Sequence, residues 1–344
     1  MPIAKKIRNM EEFAEASGLS RPTVSKYFHD PDSVRRSTRR KIEEALEQFD
    51  YRPNFYAINQ NRRLTKTIGI VVPYLSDPFF GEIARVLEEK CVDAGYSPSL
   101  FSSNGSAARE KEIFSLLRSI KPTGVLLAPL GRLSEQAAVE AFCADVPTVL
   151  FDSNINQVGR AFLGSDNAQF TALMVEYLYR SGEPPAFLEM KTPPNPNAGK
   201  RRQGYVAAMK SHGLEPEIVQ IAGEGWALED IGYRGGLRLL EAKGFRSRTV
   251  LCSNDRLAIG FLSACHDKGL KVGLEPDADI RVAGQDDHPF SRFTYPPLTT
   301  ITQDYDAISQ GAVDALLDTV QEEHHPKNRP DTFFEGKLIM RKSA

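Results

Sequence analysis

Two groups of polar side chains in this sequence could bind ligands through hydrogen bonds. Arg21 and Lys26 are predicted to face outward from a short helix, where they could donate to the N7 and O6 acceptors of guanine. Asp286 and Asn254 each follow an apolar run; a carboxylate accepts hydrogen bonds from hydroxyl groups, and an amide both donates and accepts them. The first group suits contact with DNA and the second suits a small polar molecule.

The N-terminal group is positioned by three short predicted helices in residues 10–51. Asn9, Ser20 and Ser37 are residue types that are favoured at helix N-caps. Gly18 lies between the first two helices, and glycine is the residue that adopts the positive φ of such a turn at little cost in energy. This spacing predicts a helix-turn-helix, which places its second helix in the major groove of DNA.

Charge is distributed unevenly along a chain whose formal net charge is −2. Residues 1–66 contain 14 Lys or Arg and 9 Asp or Glu, a net charge of +5, which leaves 29 basic and 36 acidic residues, a net charge of −7, in residues 67–344. A basic segment on an acidic body favours contact between that segment and nucleic acid. The charge distribution alone favours an ordinary solvated surface over a nucleic-acid-binding segment. The helix-turn-helix spacing reverses this preference.

The remaining sequence alternates between short apolar, β-branched runs and longer helical stretches. The predicted strands are 67–72, 124–127, 148–151, 186–190, 249–252 and 280–283, and the helices between them include 78–94, 109–120, 168–180, 201–211, 231–242 and 255–268. This alternation predicts an α/β fold with parallel sheets and helices on both faces. A body of about 280 residues is too large for one such sheet, so we expect two lobes. Ligand sites in such folds lie beyond the carboxyl ends of the strands, where Asp77, Asp152, Asn254 and Asp286 occur.

Several short motifs occur in a fixed order along the chain. In the head they are residues 19–26, Val34, residues 37–39, Ile42 and residues 51–54. In the body they are residues 68–73, 76–80, 254–255, 284–287 and 296–301. Each motif alone is weak, but the ordered set spans essentially the whole chain and closely resembles the LacI/GalR family of bacterial transcriptional regulators.

The resemblance implies roles for residues of the head and of the hinge that follows it. Base contacts are expected from Arg21, Pro22 and Lys26. Phosphate contacts are expected from Thr23, Ser25, Thr38, Arg39 and Asn54. Minor-groove contacts in the hinge are expected from Ala57 and Gln60. Gln60 occupies the position at which the family has a leucine that inserts between base pairs in the minor groove. Glutamine separates stacked bases poorly, so the operator geometry of the family cannot be assumed for this chain.

The resemblance also implies a periplasmic-binding-protein-like core with three strands that cross between the lobes and an effector in the cleft. The expected effector-binding residues are Asp77, Phe79, Arg201, Trp226, Asn254, Asp286 and Gln303. Carboxylate, amide, guanidinium and aromatic groups together suit a small polyol such as a sugar; a purine or a sugar phosphate acting as a corepressor is the alternative. Each residue also has a purely structural interpretation, with Trp226 in the core, Arg201 on the surface, and the acidic and amide residues as caps or turns.

These expectations define the domain organisation. A helix-turn-helix head takes residues 1–53, a hinge takes 54–66, and an effector-binding and dimerisation core takes 67–344. Within the core, the first lobe takes about 67–164 and 302–328, and the second takes about 165–301 and 329–344. No additional heptad helix follows, so we expect a homodimer that reads a pseudo-palindromic operator.

Other classes of function have weaker support. No G-x-G-x-x-G or Walker motif follows a strand, so no nucleotide cofactor is expected. The four cysteines form no C-x-x-C pair and are expected to be reduced core residues. His324 and His325 lack partners at metal-binding spacing. No signal peptide or apolar span is evident, which disfavours an exported solute-binding protein and favours a cytoplasmic regulator that is not an enzyme.

Overall fold

The structure, a computed structural model, describes residues 7–29, 31–49, 51, 65–321 and 330–344. The chain forms two compact units, residues 1–65 and residues 66–344. We call these units the head and the core, and each is described by itself.

Three helices form the described part of the head: α1 (Met10–Ala16), α2 (Arg21–His29) and α3 (Arg36–Gln48). Asn9 caps α1 by accepting a hydrogen bond from the backbone N–H of Glu12 at 2.9 Å. Phe13, Val24 and Ile42, one from each helix, are fully buried in one cluster. The three helices therefore share a small apolar core, because each is too short to bury its apolar side chains alone.

The start of α3 differs from the prediction. The N-cap is Arg35, whose side chain makes no capping hydrogen bond, so Ser37 lies inside the first turn and the prediction that it is the cap is wrong. The backbone N–H groups of Thr38 and Arg39 donate to the carbonyl oxygen of Arg35 at 2.8 and 2.9 Å. These main-chain bonds begin the helix without a side-chain cap.

The core alternates between strands and helices along most of its length. In chain order its elements are β1 (Thr67–Val72), α4 (Pro78–Asp93), β2 (Ser97–Ser102), α5 (Ala107–Ile120), β3 (Gly124–Leu127), α6 (Gln136–Asp145), β4 (Thr148–Phe151), β5 (Phe162–Ser165), α7 (Asn167–Ser181), β6 (Ala186–Met190), α8 (Asn197–Ser211), β7 (Glu217–Ile221), α9 (Leu228–Glu241), β8 (Thr249–Cys252), α10 (Asp255–Asp267), β9 (Arg281–Ala283), β10 (Thr300–Thr302), α11 (Tyr305–Gln321), β11 (Asp331–Phe334) and β12 (Lys337–Ile339).

Two parallel sheets form two lobes. In the first lobe the strand order is β11-β5-β4-β3-β1-β2. Helices α4 and α11 pack on one face of that sheet, and α5 and α6 pack on the other. In the second lobe the order is β7-β6-β8-β9, with α9 and α10 on one face and α7 and α8 on the other. The prediction of a two-lobed α/β core is confirmed, since strands buried on both faces need helices on both sides.

Strand β11 departs from the expected lobe boundary. We expected residues 329–344 in the second lobe, but β11 pairs in parallel with β5 and so extends the sheet of the first lobe. The cause is α11, which packs on the first sheet and returns the chain to the open edge of that sheet. Strand β12 then pairs antiparallel with β10 in a separate two-stranded ribbon.

The cysteines and the helices of the described residues bear on other classes of protein. The four cysteines are free and buried, as the sequence predicted. Among the described residues no helix is long and apolar enough to cross a membrane, and no cluster of three or more His, Cys, Asp or Glu could hold a metal ion. His324 and His325 lie outside the described residues.

Candidate functional site

A cavity between the lobes of the core collects side chains from the carboxyl ends of both sheets; we call it the cleft. The space that it encloses measures about 50 Å³, which is below the range of about 300–1,000 Å³ for small-molecule sites. Asp77 and Asp152 follow strands β1 and β4 of the first lobe, while Asn254 and Asp286 follow β8 and β9 of the second. The other residues predicted for the effector site also line the cleft; they are Phe79, Arg201, Trp226 and Gln303.

Arg201 on α8 is buried and makes a two-point ion pair with Asp286. Its Nη1 and Nη2 donate to the two carboxylate oxygens at 3.0 and 2.5 Å. Its Nε also donates to Asn167 at 2.9 Å, and Nη1 donates to the carbonyl oxygen of Ser253 at 2.8 Å. Burial alone would lower the pKa of Arg201, but the carboxylate of Asp286 outweighs burial and raises it. The interpretation of Arg201 as a surface arginine is therefore wrong.

Asp286 is held by both lobes. Besides Arg201, its carboxylate accepts from Nε2 of Gln303 at 2.7 Å, and the Gln303 side-chain oxygen accepts from the hydroxyl of Ser165. The backbone of Asp286 has a φ of 130°, a conformation that costs energy for a residue other than glycine. Because Ser165 and Gln303 each lie where the chain passes between lobes, this network ties the cleft to the crossing segments.

Asp77 and Asn254 serve as helix caps as well as cleft residues. The Asp77 side chain accepts from the backbone N–H of Phe79 at 3.0 Å at the start of α4. The Asn254 side chain accepts from the N–H of Leu257 at 2.8 Å at the start of α10. The capping interpretation is therefore correct for both, and each still presents its remaining polar atoms near the cleft.

Aromatic rings line one side of the cleft. Trp226, from the loop before α9, is half-buried and stacks on Tyr74 with ring centres 5.2 Å apart and an angle of 12° between the planes. The ring of Phe80 meets Trp226 nearly edge-on at 6.0 Å. Phe79 and Tyr305 form a second aromatic pair at 5.6 Å. Trp226 thus packs on the first lobe while it also lines the cleft.

The sequence placed Asp152 at the cleft without including it among the effector-binding residues, and it did not indicate Asn197. Asn197 Nδ2 donates to Asp152 Oδ1 at 2.8 Å, which joins the end of β4 to the start of α8. Asp152 Oδ2 and Asn197 Oδ1 are buried and have no hydrogen-bond partner within the described part of the chain. Burial raises the pKa of Asp152 to about 7, although Lys200 and Arg201 act to lower it. The position of Asp152 directly after a strand was the available signal; nothing in the sequence marked Asn197.

Arg256 is a second cation of the cleft, partly buried, that sequence reasoning missed. It lies in the first turn of α10, and its Nη1 donates to Asp77 Oδ2 at 2.9 Å. Its Nε and Nη2 donate to the two carboxylate oxygens of Glu229 at 2.7 and 2.6 Å. The cleft therefore contains two guanidinium groups, and each is already paired with carboxylate.

In the head, the outward face of α2 carries four of the ten residues predicted to touch DNA. Arg21, Pro22, Ser25 and Lys26 are exposed, whereas Val24 between them is fully buried. Arg21 lies 3.9 Å from the carboxylate of Glu11.

The remaining predicted DNA contacts are less simply placed. The Thr23 hydroxyl lies 2.8 Å from that of Ser20. Thr38 is half-buried, and Arg39 is paired with Asp32 at 2.6 Å and with Glu43 at 2.9 Å. A phosphate contact by Arg39 would therefore compete with two carboxylates. Asn54, Ala57 and Gln60 lie outside the described residues.

Comparison with known proteins assigns both units. Residues 9–54 match the model of the bacterial regulatory proteins of the lacI family, and residues 176–344 match a periplasmic binding protein-like domain. The transcriptional repressor CytR of Escherichia coli is 30% identical over 316 residues, which cover 92% of this chain and 90% of the relative. The chain belongs to the LacI family. This confirms the resemblance that the sequence motifs indicated.

Other members of the LacI family match at similar levels. The ribose operon repressor of Escherichia coli is 29% identical over 319 residues, covering 90% of this chain and 92% of the relative. The crystal structure of a Lac repressor dimer bound to operator and an anti-inducer superposes with a TM-score of 0.83 at 25% identity, covering 98% of this chain and 99% of the other. The relatives are regulators rather than enzymes.

Proposed function

We propose that this LacI-family chain is a transcriptional repressor that binds its operator through α2 and is controlled by a small uncharged polyol in the cleft. The observation that carries the choice of effector is the pair of buried acceptors, Asp152 Oδ2 and Asn197 Oδ1, without a partner in the described residues. Buried polar atoms are nearly always hydrogen-bonded. Hydroxyl groups of a bound polyol would donate to both oxygens and complete the site.

The charges of the cleft support an uncharged effector over a phosphorylated one. Arg201 is paired with Asp286, and Arg256 with Asp77 and Glu229. A phosphate would meet guanidinium groups that are already neutralised and would lie near several carboxylates. Burying a dianion beside these carboxylates, with both guanidinium groups already paired, is strongly unfavourable, so a sugar phosphate fits less well than a free sugar. The ribose operon repressor, named for a sugar, is consistent with this choice.

A purine is the second candidate, and the aromatic wall favours it. Phe79, Tyr305 and Trp226 offer flat apolar surface, on which a planar base could stack. Ring N–H and amino groups of a base could also donate to Asp152 and Asn197. Stacking of one Trp226 face on Tyr74 reduces the surface left for a base, which is why we rank the polyol first.

The proposal includes a homodimer, as in the Lac repressor structure, which is a dimer bound to operator. One loop of the second lobe supports self-association: Phe290, Phe293 and Tyr295 are 64%, 78% and 94% exposed. Three aromatic side chains this exposed within six residues are typical of a protein contact surface. A two-fold dimer would present two copies of α2 to a pseudo-palindromic operator.

Control of DNA by the effector requires coupling between the cleft and the head. In the proposal the coupling runs through the hinge, where Asn54, Ala57 and Gln60 would contact DNA. Thermodynamic linkage makes the coupling reciprocal, with about 1–3 kcal/mol typical. The proposal assigns no catalytic step, cofactor or metal to the chain and places it in the cytoplasm, where a bacterial operator is found.

Thermal melting of the full chain against free sugars, polyols, sugar phosphates and purines tests the effector class. A ligand at 100 times its Kd stabilises its protein by about 2.7 kcal/mol, which is visible as a rise in Tm. We expect a rise with a free sugar or polyol and a smaller rise, or none, with its phosphate. A hit among phosphates alone would contradict the uncharged effector, and a hit among purines alone would select the second candidate.

A further inference from the structure

The side chain of Arg256 joins the two lobes across the cleft. Arg256 belongs to α10 of the second lobe, whereas Asp77 caps α4 of the first lobe. The Nη1 atom of Arg256 lies 2.9 Å from Asp77 Oδ2. The side chains are only 12% and 9% exposed, respectively, so the ion pair is largely shielded from water and its partners are costly to separate.

The same guanidinium group fixes the loop that carries Trp226. Arg256 Nη2 donates to the carbonyl oxygen of Trp226 at 2.7 Å, and Glu229, three residues further along, accepts from Nε and Nη2. The Trp226 ring then stacks on Tyr74 of the first lobe. One side chain therefore positions both an ionic and an aromatic contact between the lobes.

Two further contacts show how closely the lobes approach each other. Asn197 of the second lobe donates to Asp152 of the first at 2.8 Å. A methyl group added at Gly131 of the first lobe would lie 2.7 Å from Cγ of Pro196 in the second. The chain thus supplies the contacts of a closed cleft from its own side chains.

We propose that Arg256 is a latch that closes the cleft in the unliganded protein by pairing with Asp77 across it. Glu229 holds the guanidinium group on the second lobe, and Asp77 is the ion-pair partner of Arg256 on the first lobe. The latch makes the closed arrangement the resting state, so an effector enters only when the Arg256–Asp77 pair opens. This inference concerns the unliganded chain and does not depend on the identity of the effector.

Trp226 reports directly on the latch because it is the only tryptophan in the chain. The experiment measures the emission maximum and acrylamide quenching of Trp226 in the full chain without ligand. The variants are Arg256→Gln, which removes the guanidinium group, and Asp77→Asn, which removes only the carboxylate that pairs with it across the cleft. Asparagine is as good an N-cap as aspartate, so α4 keeps its cap. We expect both variants to shift the emission to longer wavelength and to make Trp226 more accessible to acrylamide.

Arg202→Gln is the matched control. Arg202 pairs with the buried carboxylate of Glu189 at 3.2 Å, and both residues belong to the second lobe. Its substitution removes the same charge and an ion pair without touching the cleft, so Trp226 emission should not change. Circular dichroism and thermal melting establish that each variant is folded.

A third variant, Glu229→Gln, separates the latch from a local role. If Arg256 merely anchored its own loop, Glu229→Gln would alter Trp226 emission while Asp77→Asn would leave it unchanged, and that result would overturn the proposal. Unchanged emission in folded Arg256→Gln would overturn it as well. If Arg256→Gln does not fold, Trp226 emission in Asp77→Asn alone tests the proposal, because the only ion pair that this variant loses is the one across the cleft.

Discussion

Arg201 and Asp286 form a two-point ion pair in which Nη1 donates to Oδ2 and Nη2 donates to Oδ1. Their side chains are 9% and 17% exposed. Asn167, Ser253 and Gln303 complete the hydrogen bonding of the pair from both crossing segments and from the end of β8. The pair therefore shapes the cleft and stabilises the junction of the lobes at the same time.

Replacing Asp286 by Asn should lower the free energy of unfolding by about 3–5 kcal/mol, because it leaves the Arg201 charge buried without its carboxylate. Urea unfolding measures the loss. The control is Glu112→Gln, whose partner Arg109 and own side chain are 58% and 65% exposed; it should cost about 1 kcal/mol or less. Similar losses in the two variants would show that the Arg201–Asp286 pair is no more important than a surface pair.

Asp152 should make the stability of the core depend on pH. Burial raises its pKa from 3.8 to about 7, so the folded state holds the proton more tightly than the unfolded state. Ionising the buried Asp152 carboxyl therefore destabilises the folded state. This destabilisation is absent below pH 4, grows as the pH rises, and is complete above pH 7. Asp152→Asn should therefore be more stable than the parent by roughly 1–4 kcal/mol at pH 8 and unchanged near pH 4.

Urea unfolding of both proteins at pH 4.5, 6 and 8 measures that difference. The Asp255 carboxyl, whose pKa burial also raises to about 7, contributes the same slope to both proteins and cancels in the comparison. Parallel stability curves across the three pH values would mean that Asp152 titrates normally and is not the buried acid described above.

Trp226→Ala should weaken effector binding by at least about tenfold, equivalent to 1.4 kcal/mol, while DNA binding without effector is unchanged. The reason is that Trp226 forms part of the cleft wall in the core, whereas α2 belongs to the head. Titration calorimetry with the ligand found by thermal melting gives the affinity. Leu274→Ala, at a half-exposed position in the same lobe, is the control. Normal effector affinity in Trp226→Ala would remove this residue from the binding site.

Arg21→Ala should relax the sequence preference of DNA binding. A base contact by an arginine is worth about 1–3 kcal/mol of discrimination at one base pair, so operator affinity should fall while affinity for random DNA falls much less. Fluorescence anisotropy with both DNAs at fixed salt measures the ratio. Arg109→Ala changes the net charge equally in the core and should leave the ratio intact. Equal weakening on both DNAs would make Arg21 a phosphate contact.

The sequence predicted the cleft well where residues follow strands or carry a family motif. Asp77, Asn254 and Asp286 were found because the ends of parallel strands converge, and Arg201 and Trp226 because the family resemblance implied them. Arg256 stands beside a recognised motif, yet nothing local indicates that its side chain reaches another lobe. Such long-range pairing depends on how the lobes pack, which no short pattern encodes.

Boundaries were predicted less well than elements, for related reasons. Ser37 is a residue type favoured at N-caps, but main-chain bonds to Arg35 begin α3 two residues earlier than a Ser37 cap would require. Strand β11 was assigned to the wrong lobe because its sequence shows a strand without showing its partner, β5. Helix propensity and strand propensity are local, whereas the choice of sheet edge is tertiary.

Operator affinity measured with and without effector tests whether a ligand in the cleft controls DNA binding. DNA is first selected from a random pool with the full chain, and the selected site is then titrated by anisotropy with and without the free sugar or polyol found by thermal melting. We expect a pseudo-palindromic site and a change in Kd of about 5-fold to 150-fold on adding the ligand. An identical Kd in the presence of a saturating cleft ligand would contradict it.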